Sequence, residues 1–412
     1  MDDLRLALAG FDPSAPLAAA PDPWDSLPMP AIRRGPPWAM AESIAAEPGL
    51  AERIGRRILD DGSAAELAAA LDAAGRAGEP IVVTGCGTSE HAAMAMADVL
   101  RDAWPIAGFT GQAPVAAQAF ELALDPPSTG LVIGISHEGG TTATIDALEA
   151  ARAAGVRTAV ITGSAGSPAG RAGEIVVATV ELDRSWCHTV GYVSPIVVAG
   201  VVAGLLAGSP VAGSVLRARL LAGIDAAHAN VDGADRPDAR IAATVASARH
   251  LLVLGSGADR TTARELTLKV EEAAWIPSAM RDLETFLHGH LPATGPDTAL
   301  VLVLLDRRGR DVRLVRARQA LAAARAVGIR CAAILGQDAA TAMPADLTPG
   351  GRIVVPDDPS LPDALAAVLG AATPLQLVTL EVADARGTNP DAIRRDDPVY
   401  RRAADLGDAP AA

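Results

Sequence analysis

The sequence predicts an α/β fold of two similar three-layer domains, each a parallel sheet covered by helices, and three observations predict it. Short runs such as "PIVV", "GLVIGIS" and "HLLVLG" are apolar at nearly every position instead of alternating, so both faces of each strand must be buried. Each run leads through a Gly-containing turn into an Ala/Leu-rich stretch with helical spacing, the order expected of parallel strands with crossover helices. After Gly233 the series begins again, which implies a second doubly wound, flavodoxin-like unit.

Residues 1–39, rich in Pro, Ala and Asp and ending in "PMPAIRRGPPW", read as an irregular N-terminal arm. "MAESIAAEPGLAERIGRRIL" and "SAAELAAALDAAGRAG" carry apolar residues at helical spacing and open the first domain, residues 40–232. Strand, turn and helix follow in "PIVVTGCGTSEHAAMAMADVLRDA" and again in "GLVIGISHEGGTTATIDALEAARAAG", and "RTAVITGSAGS" adds a strand and turn. The apolar stretch from Val193 to Leu206 is interrupted by Pro195, Gly200 and Gly204 and reads as a buried helix. No apolar run reaches the roughly 18 residues of a membrane span. The second domain, residues 233–385, runs through "HLLVLGSGADRTTARELTLKVEEAAW", "ALVLVLLDRRG", a helix over 311–327 and "RCAAIL". A polar tail, residues 386–412, ends the chain.

Half of the 412 residues are hydrophobic but only 3% are aromatic, so the core must be built from Ala, Val, Leu and Ile. A formal charge of −14 excludes nucleic acid as the main partner, because a phosphate backbone requires a clustered excess of Lys and Arg. Cys86, Cys187 and Cys331 lie far apart, which implies neither a disulfide framework nor a zinc ribbon and fits a reducing cytoplasm. Asp2 and Asp3 stand where a signal peptide carries positive charge, so a cytoplasmic protein without a membrane partner is expected.

In open parallel sheets, ligands bind at the carboxyl ends of the strands, where helix N-termini present free N–H groups. Three turns qualify: Gly85 to Ser89, Ser136 to Thr144, and Gly255 to Thr262. Their hydroxyls favour an anion or a polyol. A dinucleotide would want a third glycine, but Glu90 and Arg260 occupy that place, so no cofactor is expected. On the plainest reading these glycines only permit tight strand-to-helix turns.

"GCGTS", "ISHEGGTTAT" and "LTLKVEEA" followed by "ETFLHG", in that order, resemble the sugar isomerase (SIS) domain family across about residues 40–400. The pattern is similar to the isomerase half of glucosamine-6-phosphate synthase and to stand-alone amino-sugar-phosphate deaminases and ketose/aldose isomerases. The resemblance implies an aldose/ketose isomerase or deaminase of a hexose or amino-hexose, phosphorylated as in those relatives, acting through an enediolate or enolamine. It places the family's lysine on Lys269, its proton-transferring glutamate on Glu272 and its ring-opening histidine on His288. It assigns substrate contacts to Gly87, Thr88 and Ser89, to Ser136, His137, Glu138, Gly139 and Thr141, and to His188 and Thr189. It further implies a homodimer whose site takes the histidine from the neighbour. The alternative is a non-catalytic sugar-phosphate sensor on the same fold.

Isomerisation between C1 and C2 needs a carboxylate to carry the proton, an acid/base to open the ring and a cation near the developing oxyanion. Lys269 is the only lysine among 35 basic residues, and it lies three residues from Glu272, on one helix face. Arginine is bulky and cannot give up a proton, whereas an ammonium is compact and can titrate when buried. The bland reading is a coding bias that left one lysine in an ordinary surface pair. Glu271 competes for the base role, but successive helical residues point about 100° apart and the family register selects Glu272. His288 and His290 would need a third ligand to hold a metal, so none is expected. Glu284 either orients His288 or ends a turn.

Three departures from the family stand out. Glu138 replaces the second serine of the phosphate loop, and an ionised carboxylate facing phosphate is costly unless paired. It either points away, or binds the hydroxyls of an unphosphorylated sugar, or pairs with a cationic ligand group or an arginine. In "DRSWCHTVGYVSP", Thr189 and Tyr192 fit the family outline, but His188 and Val190 replace a small residue and a lysine. The tail has no lysine, so Schiff-base chemistry from it is excluded, and Arg394 or Arg395 either meets an anionic ligand or is solvated. With no room ahead of residue 40 for a glutamine-hydrolysing domain, nitrogen chemistry is expected to use free ammonia.

Overall fold

The computed structural model describes residue 8, residues 10–229 and residues 233–407. The expected domain boundary at 232, the start of the arm with Asp2 and Asp3, and the last five tail residues lie outside them.

Two five-stranded parallel sheets are present. The first holds β1 (Ile81–Gly85), β2 (Val115–Gln118), β3 (Leu131–Ser136), β4 (Arg157–Thr162) and β5 (Ile175–Ala178) in the order β2-β1-β3-β4-β5. The second holds β6 (His250–Gly255), β7 (Ser278–Asp282), β8 (Thr298–Leu304), β9 (Arg330–Gly336) and β10 (Arg352–Val355) in the order β10-β9-β8-β6-β7. Read from β7, the second order repeats the first, strand for strand. The chain reverses direction across each sheet between its first and third strands, and the crevice above that switch point is where such folds bind ligands. The interior strands β1, β3 and β8 are buried at every position, as their unbroken apolar runs require.

The lead-in helices are Ala39–Asp60, which tolerates Pro48 within it, and Ser63–Ala77. Val190–Leu206 forms the buried helix expected from its composition. One further helix, Asp363–Arg386, is long and apolar enough to cross a membrane, contrary to the expectation that no stretch would be; 94% of that stretch is buried inside the protein. It packs against the helices Gly213–His228, Pro237–Ala246 and Asp259–Ala274 and touches Thr88–Ala103. One apolar cluster of Ala, Val, Leu and Ile therefore runs through both halves.

The arm is irregular, as expected, but it is fastened. Glu181 accepts from the Leu17 backbone N–H (2.8 Å) and from the Arg53 guanidinium (2.7 Å), and Ala19 bridges to the Glu181 backbone. The tail is anchored too. Asp391 accepts from the Ala39 and Met40 backbone amides, capping the first helix, and the Arg394 guanidinium lies 3.7 Å from the Tyr400 ring centroid and 4.5 Å from that of Trp275. Arg395 sits over Trp186, so aromatic faces occupy both arginines.

Candidate active site

The helix Thr88–Ala103 begins just beyond the carboxyl end of β1, and the loop from Ser136 follows β3, so both border the switch point of the first sheet. The helix Asp259–Ala274 reaches this edge from the other half. Gly87 has φ +56°, a conformation that favours glycine, and Leu268 lies 3.9 Å from where a side chain there would begin, ordinary contact distance.

Lys269 is completely buried there. Its Nζ donates to Glu272 Oε2 at 2.5 Å and lies 3.7 Å from Glu265 Oε1. Burial works against the ammonium, but Glu272, Cys187 and Glu265 together hold its pKa well above the ordinary lysine value. These groups favour the ammonium over the neutral amine, and its compactness distinguishes it from arginine at a site with no exposed surface. Glu265, 1% exposed, accepts from the Thr88 hydroxyl (3.4 Å), and its Oε2 lies 2.7 Å from His91 Nδ1. His91 lines a groove of about 310 Å³ with Arg264, Thr267 and Glu271, so this chain of contacts connects the buried ammonium to solvent. Glu271 itself turns outward and accepts from the Ser278 backbone N–H, leaving Glu272 as the carboxylate on the Lys269 face.

A second cluster forms on the β3 loop. Asp183 accepts from the backbone amides of Thr189, Val190 and Gly191 and from the Thr189 hydroxyl, which caps the buried helix Val190–Leu206. Thr189 is therefore turned toward Asp183. Burial disfavours the Asp183 carboxylate, but His137, His188 and these amides hold its pKa below the usual range. His137 Nε2 accepts from the Asp183 backbone N–H, and the opposite nitrogen, Nδ1, is buried without a partner, as is Ser136 Oγ. Glu138 Oε1 lies 3.2 Å from His188 Nε2. Burial again opposes both charges, yet each partner stabilises the other: the Glu138 pKa is lowered and the His188 pKa raised. Glu138 thus meets a histidine, not the arginine or ligand cation weighed from sequence. Gly139 has φ +87°, and an added Cβ would lie 2.1 Å from Ser167 Oγ, so the turn requires glycine. Cys187, in the same loop as Asp183 and His188, is buried beside Lys269 and Glu272 and so joins the two clusters, and the field of Lys269 reaches His188.

His288 is not part of this assembly. It follows β7, is 70% exposed, and pairs with Glu284 Oε1 at 2.7 Å, while Arg316 grips the Glu284 carboxylate at 2.6 Å. Glu284 therefore orients His288. Among the described residues, the side-chain contacts of His288 are with Glu284 and Arg316, not with Lys269, Glu272 or Glu265.

Sequence reasoning missed Glu265, His91, Asp183 and Trp24. Glu265 stands four residues before Lys269 and was legible from helical spacing; the others join through long-range contacts. Trp24 in the arm donates from Nε1 to the Glu138 backbone carbonyl (2.9 Å), and its ring lies against Gly140.

The isomerizing glutamine–fructose-6-phosphate aminotransferase of Streptomyces coelicolor is 28% identical over 322 residues, 76% of this chain and 50% of that protein. The same enzyme of Gloeobacter violaceus is 26% identical over 323 residues, so the chain spans about half the length of these relatives. Among solved structures, the C-terminal domain of glucosamine-fructose-6-phosphate aminotransferase from Francisella tularensis has a TM-score of 0.65 at 20% identity, covering 88% of this chain and 99% of that one. Tagatose-6-phosphate ketose/aldose isomerase from Escherichia coli has a TM-score of 0.68 at 20% identity, covering 88% and 97%. Glucosamine-6-phosphate deaminase from Thermotoga maritima has 0.59 at 15% identity, covering 86% and 96%. The SIS domain model matches residues 77–207 and 244–342, the two sheet-bearing halves and more than half of the chain. With its doubled sheet and these matches in both halves, the chain belongs to the SIS domain family.

Proposed function

We propose that the protein is an aldose/ketose isomerase or deaminase of a hexose or amino-hexose, working through an enediolate or enolamine. The observation that carries this reading is the sole lysine, fully buried, with its Nζ 2.5 Å from Glu272 at the carboxyl edge of the first sheet. Glu272, whose side chain is 21% exposed, takes the proton from one of C1 and C2 and returns it to the other. Lys269, kept cationic by its two carboxylates, stabilises the oxygen on which negative charge develops. His288 opens the ring in a second copy's site, since in its own chain it contacts Glu284 and Arg316 and not the Lys269–Glu272 pair. The names of the relatives, an isomerizing aminotransferase, a ketose/aldose isomerase and a deaminase, support the same class of proton transfer.

Proton NMR in deuterium oxide tests it, with hexoses and amino-hexoses, free and phosphorylated, with and without ammonium. Deuterium should enter C1 or C2 of one sugar and fail to enter with Glu272→Gln or Lys269→Arg. A sugar that raises the melting temperature without exchanging label would instead make the protein a sensor and Lys269 a binding residue.

A further inference from the structure

We propose that the sugar taken by this site carries no phosphate, and that Glu138 with His188 forms the element that selects it. This rests on the sugar-binding reading above and departs from the named relatives, whose substrates carry a 6-phosphate. The loop that would hold the ester is Ser136 to Thr142, at the N-terminus of the helix Thr142–Ala153. Among the described residues, no arginine or lysine bonds to this loop; its side-chain partners are Trp24, Asp183 and His188.

The charged groups nearby already lie against carboxylates. Lys269 holds Glu272 and Glu265, and His188 lies 3.2 Å from Glu138 although its buried Nε2 makes no hydrogen bond. A phosphate dianion entering here would therefore face the Glu138 carboxylate and, behind it, the buried Asp183, with no arginine or lysine bonded to the loop among the described residues to offset them. Trp24 adds a steric term: its indole lies against Gly140, within 3.2 Å of where a side chain there would begin, next to the first free amides of the helix. Groups open to a ligand include the buried, unpartnered Ser136 hydroxyl, His137 Nδ1 and His188 Nε2, together with the partly exposed Glu138 carboxylate. This set of donors and acceptors suits hydroxyl or amino groups of a sugar.

The test compares wild type with Glu138→Ser and with the isosteric Glu138→Gln. Affinity is measured calorimetrically for matched pairs, glucosamine with its 6-phosphate and fructose and tagatose with theirs, and for inorganic phosphate alone. Wild type should prefer the free sugar and show no saturable phosphate binding at millimolar concentration. Removing the carboxylate in either variant should shift preference toward the ester by about tenfold or more. Phosphate or ester binding by wild type that is lost on Ser136→Ala or Thr141→Val would overturn the proposal. If no sugar binds, the inorganic-phosphate arm still decides: refusal by wild type and uptake by Glu138→Ser would support the selectivity while removing the isomerase reading.

Discussion

Lys269→Met removes a charge while keeping nearly the length of the side chain, and its cost can be worked from the structure. Two carboxylates lose their cation together, Glu272 at 2.5 Å and Glu265 at 3.7 Å. Lys269 is wholly buried and Glu265 nearly so, which keeps bulk water from replacing the lost partner. Breaking a buried ion pair from one side costs about 3–5 kcal/mol. Glu265 keeps the Thr88 hydroxyl and the His91 ring, and Glu272 keeps some exposure, so the lower figure, about 3 kcal/mol, applies. At about 2 °C per kcal/mol for a chain of this size, the melting temperature should fall by about 6 °C. Adding Glu272→Gln should give back part of that loss, with a coupling energy of about 1–2 kcal/mol in the double-mutant cycle. Calorimetry of the four proteins measures both the loss and the coupling. A Lys269→Met protein as stable as wild type, or a cycle that is simply additive, would show that the pair is not a coupled buried unit.

The His188–Glu138 pair makes stability depend on pH from both sides. Because the His188 pKa is raised, its contribution is complete below about pH 6.5 and is lost as pH climbs through the folded value; the lowered Glu138 pKa gives a contribution present above the carboxylate range and lost on acidification. Melting temperature against pH should therefore lose its alkaline-side decline in His188→Gln, and superimposable profiles would count against the pair. Gly139→Ala, at φ +87° and against Ser167, should cost about 2–3 kcal/mol by the same measurement, and a neutral effect would contradict the turn geometry. His288→Ala should leave stability within about 0.5 kcal/mol, since that side chain is mostly exposed. If His288 serves a partner's site, an equimolar mixture of inactive His288→Ala and Glu272→Gln dimers, allowed to exchange subunits, should recover about a quarter of wild-type activity, whereas no recovery would place ring opening elsewhere.

Which strands could be read from the sequence follows from where they lie. Six were legible, and these are β1, β3, β4, β6, β8 and β9, the interior strands of both sheets. The four that were not, β2, β5, β7 and β10, are the edges. Val115–Gln118 and Ser278–Asp282 have no fully buried residue, and Ile175–Ala178 and Arg352–Val355 are buried only at alternate positions over four residues. An edge strand is covered on fewer sides, so its composition is free to resemble a loop. The helix Asp363–Arg386 escaped notice because it is apolar on all sides and shows no stripe at helical period. At the site, Lys269 and Glu272 were legible because both sit on one helix. The Asp183 cap and the Trp24 contact were not, because they join segments more than a hundred residues apart (Trp24–Glu138) or form within a loop without regular spacing (Asp183–Thr189).

The long apolar helix also bears on the order in which the chain can be completed. The helices Ala39–Asp60, Thr88–Ala103, Val190–Leu206 and Gly213–His228 are all synthesised well before the segment 363–386 that covers part of their apolar surface. At about 5–20 residues per second, the first half waits on the order of ten seconds or more for its last packing partner. During that interval it is a partly folded nascent chain with exposed aliphatic surface, the kind of intermediate that chaperones engage. A chain cut near residue 232 would prolong that state indefinitely, so the two pseudo-repeats, alike in strand order, are unequal in their capacity to fold alone.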